Sequence, residues 1–511
     1  MSSLFQRRWM PVTIGALCVG LIAFMLWPLE NVPFQDDGIR HLTLARLMAE
    51  HGIGTFTGWG DFFFTGYFAH HNSDPWFLSE VLLIPLASLP LVTGIKWFIV
   101  LSSALLATVM GTAFRVLKVP SGATALLIPL LLFGEAGFFL RLFLARPFIL
   151  MSCVLVLVIL AIVQRRTWAL IPLLALAILL SHLFIFPLIA SCIGVLWLLS
   201  VGDAPRARIA ALSIVAGTGL GLLLHPQASA YLHYLFTVFL QPVFSQQMSH
   251  GTELWRGFGM GAHMTEPAAG AAILFVTCIL ARLKVPLSTL HERGITFTAF
   301  IATGLLFAFW LWIRSVEMLW PVLILLMGQL IGLAPSAPSL LLKKILPSKF
   351  ASGTLAICAL IIIMAHNIQS TSFYLLREDP KHTLVPVAEA LKNIEPDAHV
   401  LNILWDTFAM LFAVRPDLKY ATAMDSSFTA IEDQTGSILL DVTRDRAFAF
   451  PDPIISVSSW VHQTLDHFPS TQYLVFTAKN RFFIQALSAL PTLDHVASNE
   501  VIAVFRVRKD R

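Results

Sequence analysis

Two adjacent carboxylates, Asp36 and Asp37, follow the first long apolar run, in Gln35-Asp36-Asp37-Gly38-Ile39-Arg40-His41. At a membrane surface a carboxylate is partly desolvated, which raises its pKa and suits it to general-base work near neutral pH. A third acid, Glu135, lies in Phe133-Gly134-Glu135-Ala136-Gly137, inside an apolar run where a carboxylate is costly unless it faces a cavity or a partner. Arg141, Arg146, Arg256 and Arg314 fall at or between the ends of apolar runs, and a guanidinium grips phosphate oxygens in a fixed fork. Each group also has a plain reading. One aspartate caps a helix while the other is solvated, Arg314 pairs with Glu317 at i,i+3, and Arg141 and Arg146 are snorkelling anchors.

A second polar group is His70-His71-Asn72-Ser73-Asp74-Pro75-Trp76. It is a candidate for a divalent ion or a sugar, although adjacent histidines share a metal only on irregular backbone, and a simple polar loop is the competing reading. His182 and His225, near span ends, read as packing or interfacial residues. Trp59, Phe62-Phe63-Phe64, Tyr67, Phe68 and Trp76 are aromatic faces that could stack on sugar rings, but packing at the membrane interface is the expectation. The loop 225–266, with Glu253, Trp255, Arg256 and His263 among glycines, is long enough for a lid.

The elements that position these groups follow from periodicity. After Asp37, Ile39, Leu42, Ala45 and Met48 recur on one helical face, with Arg40, Thr43 and Glu50 on the other. The pattern predicts a short interfacial helix, with an aspartate at its start and Gly52 as its stop.

The 511 residues are 57% hydrophobic and 13% charged, which describes a polytopic membrane protein. A net charge of +4 is too small to suggest a nucleic-acid partner. The five cysteines lie in apolar runs without paired spacing and read as buried packing residues. The run 11–29 is expected to be a retained first span.

Basic residues, among them Arg115, Arg165, Arg206, Arg282 and Lys343, share one side only if the run 79–92 does not cross. About eleven transmembrane helices result, with the N-terminus cytoplasmic. The loop 30–96, the turn 139–147 and the tail are then outside. Residues 1–368 are expected to form the membrane module. Residues 369–511 alternate β-rich runs with helical segments, as one small outer α/β domain would.

The first span, the acidic opening Asp36-Asp37-Gly38, the Ala45-Arg46 step and the Glu50-His51-Gly52 end together resemble the first outer loop of GT-C fold integral-membrane glycosyltransferases. That class includes protein mannosyltransferases and the aminoarabinose and oligosaccharyl transferases. Glu135 occupies the place of the class's second acidic residue, and the outer tail fits the same pattern.

The resemblance implies an inverting transfer of sugar from a polyprenyl-phosphate or polyprenyl-diphosphate donor to a glycan, lipid or protein acceptor, at the outer face of a bacterial inner membrane. Asp37, with Asp36 as the alternative, and Glu135 are then the catalytic candidates. Arg141, Arg146, Arg256 and Arg314 would hold the donor phosphate, and His41, His71, Asp74 and Trp76 the sugar or acceptor. A metal is neither required nor excluded.

An O-antigen ligase or polymerase would instead place its essential residues in a large late outer loop. A transporter or flippase of lipid-linked sugars would show mid-span charges and pseudo-symmetric halves. A catalytically dead relative serving as an assembly subunit would not need intact Asp36 and Asp37.

Overall fold

The computed structural model describes residues 2–28, 37–53, 58–240, 286–311, 315–333, 358, 361–371, 384–403, 407–421, 432–433, 435–437, 439–440, 453–477 and 481–508. Most of the chain up to 333 is helical. α1 (Ser2–Leu26) is followed by α2 (Asp37–His51), α3 (Gly66–His70), α4 (Phe77–Ala87) and α5 (Leu91–Val116). α6 (Ser121–Phe133), α7 (Ala136–Leu142), α8 (Phe148–Val163), α9 (Leu170–Leu180), α10 (Ile185–Ser200), α11 (Ala204–Leu224) and α12 (Ala228–Tyr234) come next. α13 (Leu287–Glu292), α14 (Ile295–Leu311) and α15 (Val316–Leu333) complete this part.

Among the described residues five helices are long and apolar enough to cross a membrane, or six if α6 and α7, bent by 73° at their junction, count as one broken span. The chain is therefore a multi-pass membrane protein. α15 is buried along its whole length from Val316 to Ile331, the mark of a helix at the centre of a bundle. It packs on α5, α6, α7, α8 and α14. With 11 residues, α4 rises only about 16 Å, half the roughly 30 Å bilayer core, so it cannot span alone.

α2 starts and stops where its sequence predicts. Gly52 closes it at φ +93°, a left-handed conformation that costs glycine little, with its N–H on the Met48 carbonyl at 2.9 Å. Its polar side differs from expectation. Arg40 and Thr43 are buried like Ile39 and Leu42, with Trp59 and Trp76 lying against the Arg40 guanidinium, while Glu50 stays exposed. Helical periodicity finds the two faces of a helix but not a second polar layer that covers one of them.

The region 384–508 carries a five-stranded sheet of order β2-β1-β3-β5-β4, from β1 (His399–Asn402), β2 (Lys419–Tyr420), β3 (Tyr473–Thr477), β4 (Leu493–Ser498) and β5 (Ile502–Val507). β1 runs parallel to β2 and β3, and β5 antiparallel to β3 and β4. Side chains alternate between two cores. Val400, Tyr473, Val475 and Val504 face α16 (Leu384–Leu391) and α17 (Phe408–Val414), whereas Leu401, Leu474, Phe476 and Phe505 face α18 (Pro453–His467) and α19 (Arg481–Ser488). α18 supplies Val457, Trp460, Val461 and Leu465 at helical spacing. Burial on both faces explains why β3 reads as a continuous apolar run.

Cys18 and Cys153 are buried as expected, but Cys192 and Cys358 are exposed. A helix face turned to lipid is as apolar as one turned to a neighbouring helix, so composition does not separate the two.

Candidate active site

The chain breaks at Gly134, and Glu135, 1% exposed, turns its carboxylate onto the start of α7. Its oxygens accept from the Gly137 N–H at 3.0 Å and from the Phe138 N–H. Glu135 is thus an N-cap, an arrangement the helix dipole favours. At the other end of α7, Arg141 Nη1 meets Glu317 Oε1 at 2.7 Å, in the first turn of α15. From α8, Ser152 Oγ donates to the Glu317 carbonyl at 2.8 Å. The break in α6 is therefore tied to the central span through charge and backbone together.

Beyond Arg141 the chain reverses at Ala145, which holds the left-handed φ of +53°. The start of α2 abuts this turn. A Cβ built on Gly38 would stand 2.5 Å from Ala145 Cβ and 3.0 Å from the Leu144 carbonyl oxygen, so only glycine allows the approach. The neighbours of this contact along the chain are Asp37 on one side and Arg146 on the other. The start of α2 and the turn 139–147, 108 residues apart between Asp37 and Ala145 by their numbers, are therefore neighbours in space. Asp36, Arg256 and Arg314 lie outside the described residues, as does the loop 225–266 beyond residue 240, with Glu253, Trp255 and His263.

Behind α2 is a buried polar layer. The Arg40 guanidinium lies 4.2 Å from the Trp76 ring centre and 5.4 Å from that of Trp59, within cation–π range. His41 Nδ1 meets Glu80 Oε1 at 2.9 Å. Asp74 Oδ1 accepts from Trp59 Nε1 at 3.2 Å and from the Trp76 N–H at 3.0 Å. The Asp74 N–H donates to Gln227 Oε1 at 2.6 Å.

Glu80 is wholly buried. Desolvation pushes its carboxyl well above the ordinary carboxylate range, the charge of Asp74 and a hydrogen bond with that residue add to the rise, and Arg40 opposes it. Burial likewise lowers the pKa of His225, against a smaller opposing effect of Asp74.

His41, Asp74 and Trp76, three of the four residues expected at the sugar or acceptor, thus share one cluster. His71 stands apart, stacked on His233 at 4.1 Å and paired with Glu432 at 2.8 Å.

The aromatic run packs against the tail region. Phe63 lies 5.0 Å from Phe408, Phe62 4.8 Å from Phe412, and Phe64 stacks on His399 at 4.5 Å, ring centre to ring centre. The Phe64 N–H donates to the Tyr420 carbonyl at 3.1 Å. An aromatic cluster reads the same in sequence whether lipid or a neighbouring sheet covers it.

Sequence reasoning passed over Glu80, Arg40 and Gln227. Glu80 was findable by the argument that picked out Glu135, since it is the lone acid of an apolar run. Among the described residues no group of three or more His, Cys, Asp or Glu side chains is placed to hold a metal ion.

The architecture is the GT-C fold of integral-membrane glycosyltransferases. ArnT from Cupriavidus metallidurans, solved bound to undecaprenyl phosphate, superposes with a TM-score of 0.57 at 14% identity, covering 97% of this chain and 98% of its own. AglB from Archaeoglobus fulgidus, an archaeal oligosaccharyltransferase solved with an inhibitory peptide and a dolichol-phosphate, gives 0.57 at 10% identity over 99% of this chain and 75% of its own. The arabinofuranosyltransferase AftD from Mycobacteria gives 0.54 at 14% identity, covering 99% of this chain and 40% of its own. No family model matches the chain, and no curated protein matches it in sequence.

Proposed function

We propose that this protein is an inverting glycosyltransferase that moves a sugar from a polyprenyl-phosphate-type donor to an envelope glycan, lipid or protein at the outer face of a bacterial inner membrane. The observation that supports this reading is the approach of Gly38 to Ala145, whose chain neighbours are Asp37 and Arg146. A base and phosphate-gripping cations on one surface are what the reaction needs. The likeness to structures solved with undecaprenyl phosphate and dolichol phosphate supports the donor class.

In this reading Asp37 takes the proton of the acceptor hydroxyl, with Asp36 as its alternative. The acceptor oxygen forms the new bond to the anomeric carbon from the face opposite the phosphate. The old carbon–oxygen bond breaks and its electron pair leaves with the phosphate, whose charge Arg146 meets. Glu317 holds Arg141 toward the same turn, Glu135 fixes the break from which that turn starts, and Arg256 and Arg314 remain candidates for the donor phosphate. The region 369–511 acts as an outer domain that selects the acceptor, and His71 lies on the side open to it. His41, Asp74 and Trp76 serve the site from behind α2 by holding that helix in place.

The test is release of free polyprenyl phosphate by the purified protein from a panel of polyprenyl-phosphate sugars, with delipidated envelope extract as acceptor. Release of lipid phosphate that depends on both the extract and Asp37 is the expected result. Release with no dependence on Asp37, or none with any donor, contradicts the proposal.

A further inference from the structure

The buried layer behind α2 poses a charge problem. Among the described residues the permanently charged or carboxylic groups packed there are Arg40 from α2, Asp74 from the loop, and Glu80 from α4, each at most 1% exposed. The other titratable groups packed around them are His41 from α2, His182 at the end of α9, His225 at the end of α11, and Tyr231 and Tyr234 from α12. With the His41 imidazole neutral and donating from Nδ1, one guanidinium against two carboxylates would leave a net negative charge without solvent, and a buried uncompensated charge is strongly disfavoured. A single proton shared between the two acids removes the imbalance.

The hydrogen bonds leave one place for that proton. Glu80 Oε1 already accepts from His41 Nδ1 at 2.9 Å, and Asp74 Oδ1 accepts from Trp59 and from the Trp76 backbone. The remaining oxygens, Glu80 Oε2 and Asp74 Oδ2, are both buried, and among the described residues neither receives a donor from a third group. The Glu80 and Asp74 side chains are in hydrogen-bond contact. Two carboxylate oxygens meet this way only with a proton between them.

We infer that Glu80 is a positioning residue that works as the neutral acid: it donates its proton to Asp74, accepts from His41, and so closes the buried charge set that fixes α2 and, at its first residue, Asp37. The geometry gives Glu80 two contacts at once. His41 and Arg40 are consecutive on α2, so the bond to one and the charge balance of the other anchor the same turn. The inference rests on the reading of Asp37 as the base only for its catalytic consequence; the protonation state stands by itself.

The experiment uses the full chain in nanodiscs, as wild type, Glu80→Gln and Glu80→Ala, with thermal midpoints from pH 5 to 9 and infrared difference spectra at pH 7.5. Glutamine keeps a donor and an acceptor without the charge. Glu80→Gln is expected to match the wild-type midpoint most closely at pH 5 and to hold it as pH rises, where the wild type declines, while Glu80→Ala is destabilised throughout. The wild-type minus Glu80→Gln spectrum is expected to show a protonated-carboxyl C=O band at pH 7.5.

An absent band, with a carboxylate band in its place, overturns the inference. So does a Glu80→Gln midpoint as low as that of Glu80→Ala at every pH while the wild-type midpoint is flat. Transfer by each variant is measured beside Asp37→Asn. If Asp37→Asn is fully active the functional reading fails, whereas the infrared and midpoint results still decide the state of Glu80.

Discussion

Arg141 and Glu317 join two elements that the sequence separates by half of the membrane region: Nη1 and Oε1 stand 2.7 Å apart, with side-chain exposures of 13% and 3%. Truncating one partner strands the other charge in a largely dry setting, at a cost of about 3 kcal/mol or more. Glu317→Ala and Arg141→Ala are each expected to lower the midpoint sharply. The double variant Arg141→Met with Glu317→Leu is expected to recover much of the stability but none of the transfer. A double-mutant cycle on purified protein checks this, and additive single effects would contradict it.

Gly38 and Ala145 make a size-matched pair. Gly38→Ala puts a methyl 2.5 Å from the Ala145 Cβ and is expected to reduce transfer at least tenfold by pushing Asp37 off the turn. Ala145→Gly removes the nearest obstacle, leaving the Leu144 and Ala145 carbonyl oxygens at 3.0 and 3.2 Å, and relaxes a left-handed backbone that disfavours side chains. The pair Gly38→Ala with Ala145→Gly is therefore expected to regain part of the lost activity in the same assay.

Glu135 separates two roles cleanly. As an N-cap it tolerates exchange for aspartate or serine, and Glu135→Ala costs about 1 kcal/mol for the lost cap, with residual transfer above one tenth of wild type. Loss of more than 100-fold in transfer at unchanged midpoint would instead place Glu135 among the groups that touch the substrate.

Two buried groups give pH dependences of opposite sign. Glu80 has its folded pKa raised, so the stability it contributes is present below its unfolded value near 4.5 and is lost as pH rises toward the folded value. His225 has its folded pKa lowered by burial, so its contribution is present above the ordinary value of 6.5 and is lost as pH falls below it. A His225→Gln variant is expected to flatten the acid limb of the midpoint curve and leave the alkaline limb unchanged. A flattened alkaline limb would contradict this assignment.

The fold was largely legible where one physical signal dominates. Apolar length marked α5, α8, α10 and α11, Gly52 marked the end of α2, and short β-rich runs marked β3 and β5. What escaped was burial of polar groups by other polar groups. Arg40 looked like part of a solvated face because nothing local in the sequence places Trp59, Trp76 and Glu80 around it. Glu135 and Glu80 are both lone acids in apolar runs, and only Glu135 was singled out; one is a helix cap and the other a partner of His41, a distinction made by the three-dimensional structure alone. The meeting of Phe62 and Phe63 with Phe412 and Phe408 spans some 350 residues of chain, beyond any periodicity.

The central claim is that Asp37 is the base of a glycosyl transfer. The most direct measurement is mass spectrometry of envelope glycans from cells lacking this protein, complemented with wild type, Asp36→Asn or Asp37→Asn at matched membrane abundance. A sugar missing in the deletion, restored by wild type and by Asp36→Asn but reduced about 100-fold or more with Asp37→Asn, is the predicted result. Full restoration by both variants would contradict the account, because the acidic pair would then be structural.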